Sequence, residues 1–298
     1  RQTSRSVHAD LRRARGGTGG PGYVTSLDAF VYRRRAPAPG VYAGTMSRLL
    51  VRRPSPRLAE GELTHLERVP VDPALAQRQW EAYVDVYRSL GWDVIDIEPD
   101  DAHADGVFVE DTVVMFGDLA LLTRPGADSR RGEIDTTRAA LEKAGIGFAA
   151  IEAPGTLDGG DVLKVGRTVY VGQTLRTNPE GIRQMDALLA PRGWTVVPVE
   201  VTKVLHLKSG VTALPDGTVI GYPPLVDDPS IYPQFLAVPE EHGTAVVVLD
   251  EDTVLMSSDA PQSAQLFRDR GLTVIETPIS EFEKLEGCVT CLSVRVRD

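Results

Sequence analysis

From residue 47 onward the chain alternates between two hydrophobic patterns. Apolar residues three or four apart run into a glycine, and a short stretch of β-branched and aromatic residues follows at once. The first unit opens on Asp72 and Pro73, an N-cap residue followed by proline at the first helical position. Trp80, Val84 and Tyr87 share a face, Gly91 ends the helix, and residues 92–97 form the strand. The pattern returns over 129–145, with Ile134 and Leu141 inside and a strand at 148–151. It returns again from Asn178 and Pro179 to Gly193 with a strand at 194–199, and over 259–271 with a strand at 272–275. Hairpin patterns precede the later helices, pairing 113–116 with 119–123, 162–165 with 168–171, and 245–249 with 253–256.

Four helix–glycine–strand units predict a ring of similar α/β elements rather than one open sheet. The 78 residues between Gly193 and Gly271 hold two units, one of them with only a weak helix around 231–236. A strand at 49–51 completes a fifth unit if it pairs with the strand-like run 287–296 at the far end of the chain.

Chemically capable side chains stand at matched distances after each glycine stop. Asp111 comes 20 residues after Gly91 and Cys291 20 after Gly271; Asp158 comes 13 after Gly145 and His206 13 after Gly193. If the units surround an axis, these four side chains converge on it. Cys291 is the candidate nucleophile, against the plainer role of a small buried hydrophobe. His206 is the candidate general acid and base, because His8, His65, His103 and His242 lie in polar or loop-like sequence and a thiol nucleophile needs an imidazolium nearby. In Leu157-Asp158-Gly159-Gly160-Asp161 the glycine pair permits close backbone approach while Asp158 accepts from the histidine ring; a simple turn is the alternative.

Glu110 and Asp111 lie between apolar runs, so they are semi-buried acids that need a cationic partner. A guanidinium matches a carboxylate bidentately, which makes Asp111 the expected clamp, with Glu110 and Asp105 as lesser candidates and a structural ion pair as the alternative. Arg130 and Arg176, at predicted helix N-termini, suit a substrate carboxylate.

Charge and cysteine usage narrow the partners. Residues 1–46 carry eight Arg against Asp10 and Asp28, leaving 24 basic and 40 acidic residues beyond them. So acidic a body disfavours nucleic acid and suits a small cationic substrate. No apolar run reaches the ~20 residues of a membrane helix. Two cysteines three apart make no disulfide framework, which points to a reducing, cytoplasmic setting. A zinc half-site lacks a second cysteine pair, and a thioredoxin-type redox pair is disfavoured because the run after Cys291 continues as strand rather than helix. Cys288 keeps the role of a buried residue. Residues 1–46, rich in Arg and Gly and without apolar periodicity, are expected to be disordered and outside the fold. They lack the apolar core of a secretory signal, and a transit peptide or an extension ahead of a start at Met46 are the readings left.

Six motifs carry a resemblance: Phe108-Val109-Glu110-Asp111; Thr123-Arg124-Pro125-Gly126 with Ser129-Arg130-Arg131; Leu157 to Asp161; Arg176-Thr177-Asn178; His206-Leu207-Lys208-Ser209; and Thr290-Cys291. With these in order, residues 47–298 resemble the dimethylarginine dimethylaminohydrolases of the guanidino-group-modifying, or pentein, superfamily. The resemblance implies one catalytic domain with a five-bladed pseudosymmetric α/β propeller fold. It implies Cys291 as nucleophile, His206 as acid and base, and Asp158 as the orienter of the ring. It also implies a guanidinium site at Asp111 with Glu110 and Asp105, a carboxylate site at Arg130 and Arg176, and an amino-group contact at the backbone near Leu285. The loop 52–65 resembles the family's lid, with no lid residue carried over. The activity implied is hydrolysis of N-omega-methylated arginine to citrulline and a methylamine through a covalent thiouronium, with no metal or organic cofactor. The implied partner is a small cationic amino acid, not nucleic acid or membrane, and a homodimer stays open. Arginine deiminases resemble a His-x-Asp pattern where this chain has Lys208, and they carry an extra helical domain; a non-catalytic binding propeller is the reading from another class.

Overall fold

In a computed structural model, residues 47–297 are described; the expectation for residues 1–46 lies outside them. Strand β1 (Arg48–Val51) is joined through α1 (Pro73–Ser89) to a parallel partner, β2 (Asp93–Asp96). The next unit is the hairpin β3 (Val113–Phe116) and β4 (Leu119–Leu122), then α2 (Glu133–Lys143) and β5 (Phe148–Ala150). It recurs as β6 (Val162–Val165), β7 (Thr168–Gln173), α3 (Pro179–Leu189) and β8 (Thr195–Glu200). After the one-turn α4 (Leu207–Gly210) come β9 (Val211–Ala213), β10 (Val219–Gly221) and β11 (Phe235–Ala237). The last full unit is β12 (Val246–Val248), β13 (Thr253–Ser257), α5 (Pro261–Asp269) and β14 (Thr273–Thr277), followed by α6 (Ser280–Glu283). Finally β15 (Val294–Val296) pairs antiparallel with β1, Leu50 opposite Val294, so the chain's two ends complete the fifth sheet.

The result is five three-stranded sheets of one pattern: an antiparallel pair, then a helix or loop crossover to a third, parallel strand. This is the expected five-bladed α/β propeller. The long helices start and stop as their chemistry dictates. The Asp72 side chain accepts from the N–H groups of Ala74 and Leu75, and that of Asn178 from Gly181. Gly91, Gly145, Gly193 and Gly271 all take positive φ between helix and strand, so the repeated glycine is the left-handed residue that turns each helix into its outer strand. Helices are held by apolar faces: Tyr83, Val84 and Tyr87 of α1 pack with Leu49, Phe282 and Leu292 in one of five clusters between blades.

Three local expectations are corrected. Residues 231–236 are not a helix; Pro229–Ile231 is a single 3-10 turn and β11 starts at Phe235, so this blade crosses over by loop. Helix α5 spans Pro261–Asp269, shorter at both ends than the 259–271 expected. Cys291 is not on a strand: residues 289–292 turn, and β15 begins only at Val294.

Candidate active site

Ahead of each inner strand lies a short helical or turn segment, and these segments form one end of the axis. Asp111 sits in a 3-10 turn before β3, Asp158 immediately precedes the turn before β6, His206 immediately precedes α4 before β9, and Cys291 lies in the turn before β15. Cys291, His206, Asp111, Asp105, Arg130, Arg176 and Leu285 line one cleft, and Asp158 lies behind the histidine. The matched spacings thus correspond to matched places in the blades.

His206 is buried, with Nε2 3.0 Å from Asp158 Oδ2 and Nδ1 3.8 Å from Asp111 Oδ1. Burial opposes its charge, but Asp111, Asp158 and Asp161 outweigh burial and raise its pKa to about 9. Asp158 is held in turn, its Oδ1 accepting from the Gly126 N–H at 2.9 Å. Asp161 accepts from the Leu207 N–H at 2.9 Å and from the hydroxyls of Thr174 and Thr177, which fixes the backbone next to the histidine. The glycine pair does what its composition suggests: a Cβ on Gly160 would stand 2.6 Å from His206 Nδ1.

Asp111 accepts from the Gly160 N–H at 2.8 Å and from Arg130 Nη1 at 2.7 Å. Burial would raise its pKa, but His206 and Arg130 hold it well below the usual carboxylate range, so it stays ionised. Asp105 is shifted the other way, upward, by burial. Its Oδ2 accepts from the N–H of Glu62 in the covering loop.

Glu110 corrects the expectation most plainly. Its carboxylate does not enter the cleft; it accepts from Thr290 Oγ1 at 2.6 Å and pairs with Lys208 at 2.6 Å and Arg295 at 3.3 Å. These groups line a second cavity of about 300 Å³ walled by inner-strand residues of all five blades. Glu110 therefore braces the turn that carries Cys291, helped by its own N–H donating to the Cys291 carbonyl at 3.2 Å. Lys208 likewise faces away from the cleft. Arg130 is also more committed than expected: its Nε and Nη2 each donate at 2.9 Å to Glu133 and its Nη1 at 2.7 Å to Asp111.

Arg176 is different, since its Nη1 lies 3.8 Å from Asp158 Oδ2 and its nearer partner is borrowed from the loop. Its Nη2 reaches Glu62 Oε2 at 3.1 Å, and the Ser129 hydroxyl also donates to Glu62. The loop is pinned by Glu286, whose carboxylate accepts from the N–H groups of Thr64, His65 and Leu66 at 2.7, 2.6 and 3.2 Å. Arg52, by contrast, is a buried anchor bonded to Gly106, Glu133, Thr136 and Thr137 rather than part of the lid. Beneath the loop only about 20 Å³ stays open, room for about one water, so a larger ligand enters only when the loop moves. Glu62 and Glu286 were not singled out from sequence, because neither the covering loop nor the turn after α6 carries a periodic or motif signal.

Cys291 is buried in a thiol pair: its Sγ is 3.3 Å from that of Cys288 and 3.4 Å from the Cys288 N–H. The bond to Cys288, then burial, then the charges of Glu110 and Asp111 push the Cys291 thiol well up; the same bond draws Cys288 down. Asp111, Asp158 and His206 also offer three ligand atoms within 4.8 Å of one another, but Arg130 on Asp111 sets a fixed positive charge beside any metal there.

No family model matches the chain. Among curated proteins it is 55% identical over 249 residues to a Streptomyces coelicolor N(G),N(G)-dimethylarginine dimethylaminohydrolase, covering 84% of this chain and 96% of that protein. It is 35% identical over 250 residues to the Pseudomonas aeruginosa protein of the same name, covering 83% and 98%. Among solved structures, a Cys-to-Ser variant of the Pseudomonas enzyme complexed with citrulline superposes with TM-score 0.78 at 34% identity, over 84% of this chain and all of that one. An arginine dihydrolase domain at 22% identity shares the fold, with TM-score 0.72. On these identities and coverages, the chain belongs to the dimethylarginine dimethylaminohydrolase family of the pentein superfamily.

Proposed function

We propose that this protein hydrolyses N-omega-methylated arginine to citrulline and a methylamine, with Cys291 as nucleophile, His206 as acid and base, and Asp158 holding the ring. The observation that carries this reading is the meeting of a thiol, an imidazolium and an ionised carboxylate in one cleft. Asp111 is the counter-charge for the substrate guanidinium, with Asp105 beside it. Arg176 is the principal cation for the substrate carboxylate, with Arg130 contributing the Nη1 N–H that Asp111 and Glu133 leave over. The backbone near Leu285 serves the amino group.

The bond to Cys288 and burial first, and then the nearby carboxylates, disfavour the Cys291 thiolate. A guanidinium docked on Asp111 offsets the carboxylate contribution and promotes loss of the thiol proton to solvent. The thiolate then attacks the guanidinium carbon, and His206, charged at neutral pH, gives a proton to the departing methylamine. Nε2–H stays with Asp158, so the proton leaves from Nδ1, which faces Asp111. The neutral ring next takes a proton from water, hydroxide adds to the thiouronium carbon, and the C–S bond breaks to release the thiolate while the hydroxyl proton passes to solvent, giving citrulline. In the closed structure Glu62 stands on Arg176, and the substrate carboxylate must displace it.

The test is citrulline formation from dimethylarginine, monomethylarginine and arginine, with Cys291→Ser as control. Methylated substrates turning over faster than arginine support the reading. Arginine turning over fastest would make the chain a deiminase, and no turnover of any guanidine would end the enzymatic reading.

A further inference from the structure

We infer that Cys288 and Cys291 form a peroxide-responsive dithiol, in which Cys288 is oxidised first and then closes a disulfide onto Cys291. The geometry is close to that of the product. The Cys291 N–H donates to the Cys288 carbonyl at 3.1 Å, so the pair spans a hydrogen-bonded turn. Such a turn brings its first and fourth Cα atoms within about 7 Å, and a disulfide spans about 4.4–6.8 Å between Cα atoms. The sulfurs, 3.3 Å apart, need only close to the ~2.05 Å of the bond, a change side-chain rotation can supply within the turn.

The two sulfurs also open onto different spaces. Cys291 lines the narrow cleft beneath the covering loop. Cys288, half-buried, lines a larger neighbouring cavity of about 290 Å³ with His242, Leu225, Ser257 and Lys203, one wall of which is His65 and Leu66 of the covering loop and the Glu286 that pins it. A small oxidant therefore has room beside Cys288 that it lacks beside Cys291 in the closed cleft. The Thr290 hydroxyl lies 3.3 Å from the Cys288 sulfur, and the bond from Cys291 favours Cys288 as the thiolate, the form that attacks peroxide.

The steps balance with hydrogen peroxide as oxidant. The Cys288 thiolate attacks one peroxide oxygen, the O–O bond breaks, and hydroxide leaves and takes up a proton, giving a sulfenic acid and water. The Cys291 thiol then attacks the Cys288 sulfur; the S–O bond breaks, and the departing hydroxide takes the Cys291 proton to become a second water. Two thiols lose two electrons to peroxide, and an external dithiol reverses the change by exchange.

That the disulfide stops turnover rests on the proposed role of Cys291; the dithiol chemistry does not. The full chain is treated with limiting hydrogen peroxide, free thiols are titrated, cysteine peptides are mapped by mass, and methylarginine turnover is followed before and after dithiothreitol. The expected result is loss of both free thiols, a linked 288–291 peptide lighter by two hydrogens, loss of turnover, and recovery of both with dithiothreitol. In Cys288→Ser and Cys288→Ala, Cys291 is expected to gain sulfinic or sulfonic oxygens that dithiothreitol does not remove; this readout does not require an active variant. Sulfinic or sulfonic acid on Cys291 of the unaltered chain with Cys288 still a free thiol would overturn the inference. A disulfide that forms while turnover continues would support the dithiol and sink Cys291 as nucleophile.

Discussion

Glu110 and Asp111 are adjacent in the chain, yet they serve opposite ends of the same axis. Asp111 faces the cleft beside His206, its charge only partly met by Arg130 and the Gly160 N–H. Glu110 faces the axial cavity, where Lys208, Arg295 and Thr290 satisfy it. Successive side chains in a 3-10 turn project about 120° apart, so Asp111 enters the cleft, where the proposed function gives it the substrate cation, while Glu110 is locked into the scaffold. Adjacency in sequence says nothing about sharing a role.

The comparison fails first if the cleft does not do the chemistry. His206→Gln is expected to lower kcat by about a thousandfold, the range for a positioned acid and base, with circular dichroism unchanged. A loss below about tenfold would move the proton transfer elsewhere.

The charges of the cleft also set the pH range of stability. His206 has a folded pKa raised from 6.5 to about 9, so its contribution, roughly 3 kcal/mol, is fully present below pH ~6.5 and is lost as pH rises through about 9. Asp111 is depressed below its ordinary 3.8, so its contribution is present above that value and is lost as pH falls further. The excess urea midpoint of the unaltered chain over His206→Gln is therefore expected to hold between about pH 4 and 6.5 and to shrink toward pH 9; the comparison is made as a difference because Asp161, raised to about 6, and Lys164, lowered to about 7, also titrate across this range.

Exchanging the two neighbouring acids separates binding from bracing. Asp111→Asn is expected to cut kcat/KM about a hundredfold, as for loss of a charge-assisted bond to the guanidinium. Glu110→Gln leaves two cations short of a carboxylate and is expected to cost about 3 kcal/mol of stability while changing KM less than Asp111→Asn does. Equal KM effects would contradict the division of roles.

The smallest effect tests the covering loop. Glu62 competes for Arg176 across a partly exposed pair worth at most about 1 kcal/mol, so Glu62→Gln is expected to lower KM by up to about fivefold. A raised KM would instead make Glu62 a substrate contact.

The propeller was legible because each helix is stopped by a glycine that must take positive φ, and four such stops leave a period in the sequence. The quartet was legible for the same reason, since equal offsets from equivalent residues reach equivalent places. β11 was not, because three residues in a proline-broken stretch are held as a strand only by their pairing with β10. The direction of Glu110, the grip of Glu286 on the loop and the thiol contact of Cys288 were hidden in the same way. Each depends on partners far along the chain or on a turn whose geometry the tertiary fold imposes.

The most direct test of the central claim is to stop the reaction with acid during turnover of dimethylarginine and weigh the peptides. The account predicts an adduct with the mass of the thiouronium on the peptide containing Cys291, forming and decaying in step with citrulline, and absent from Cys291→Ser. Citrulline produced with no such adduct, or at an undiminished rate by Cys291→Ser, would contradict it.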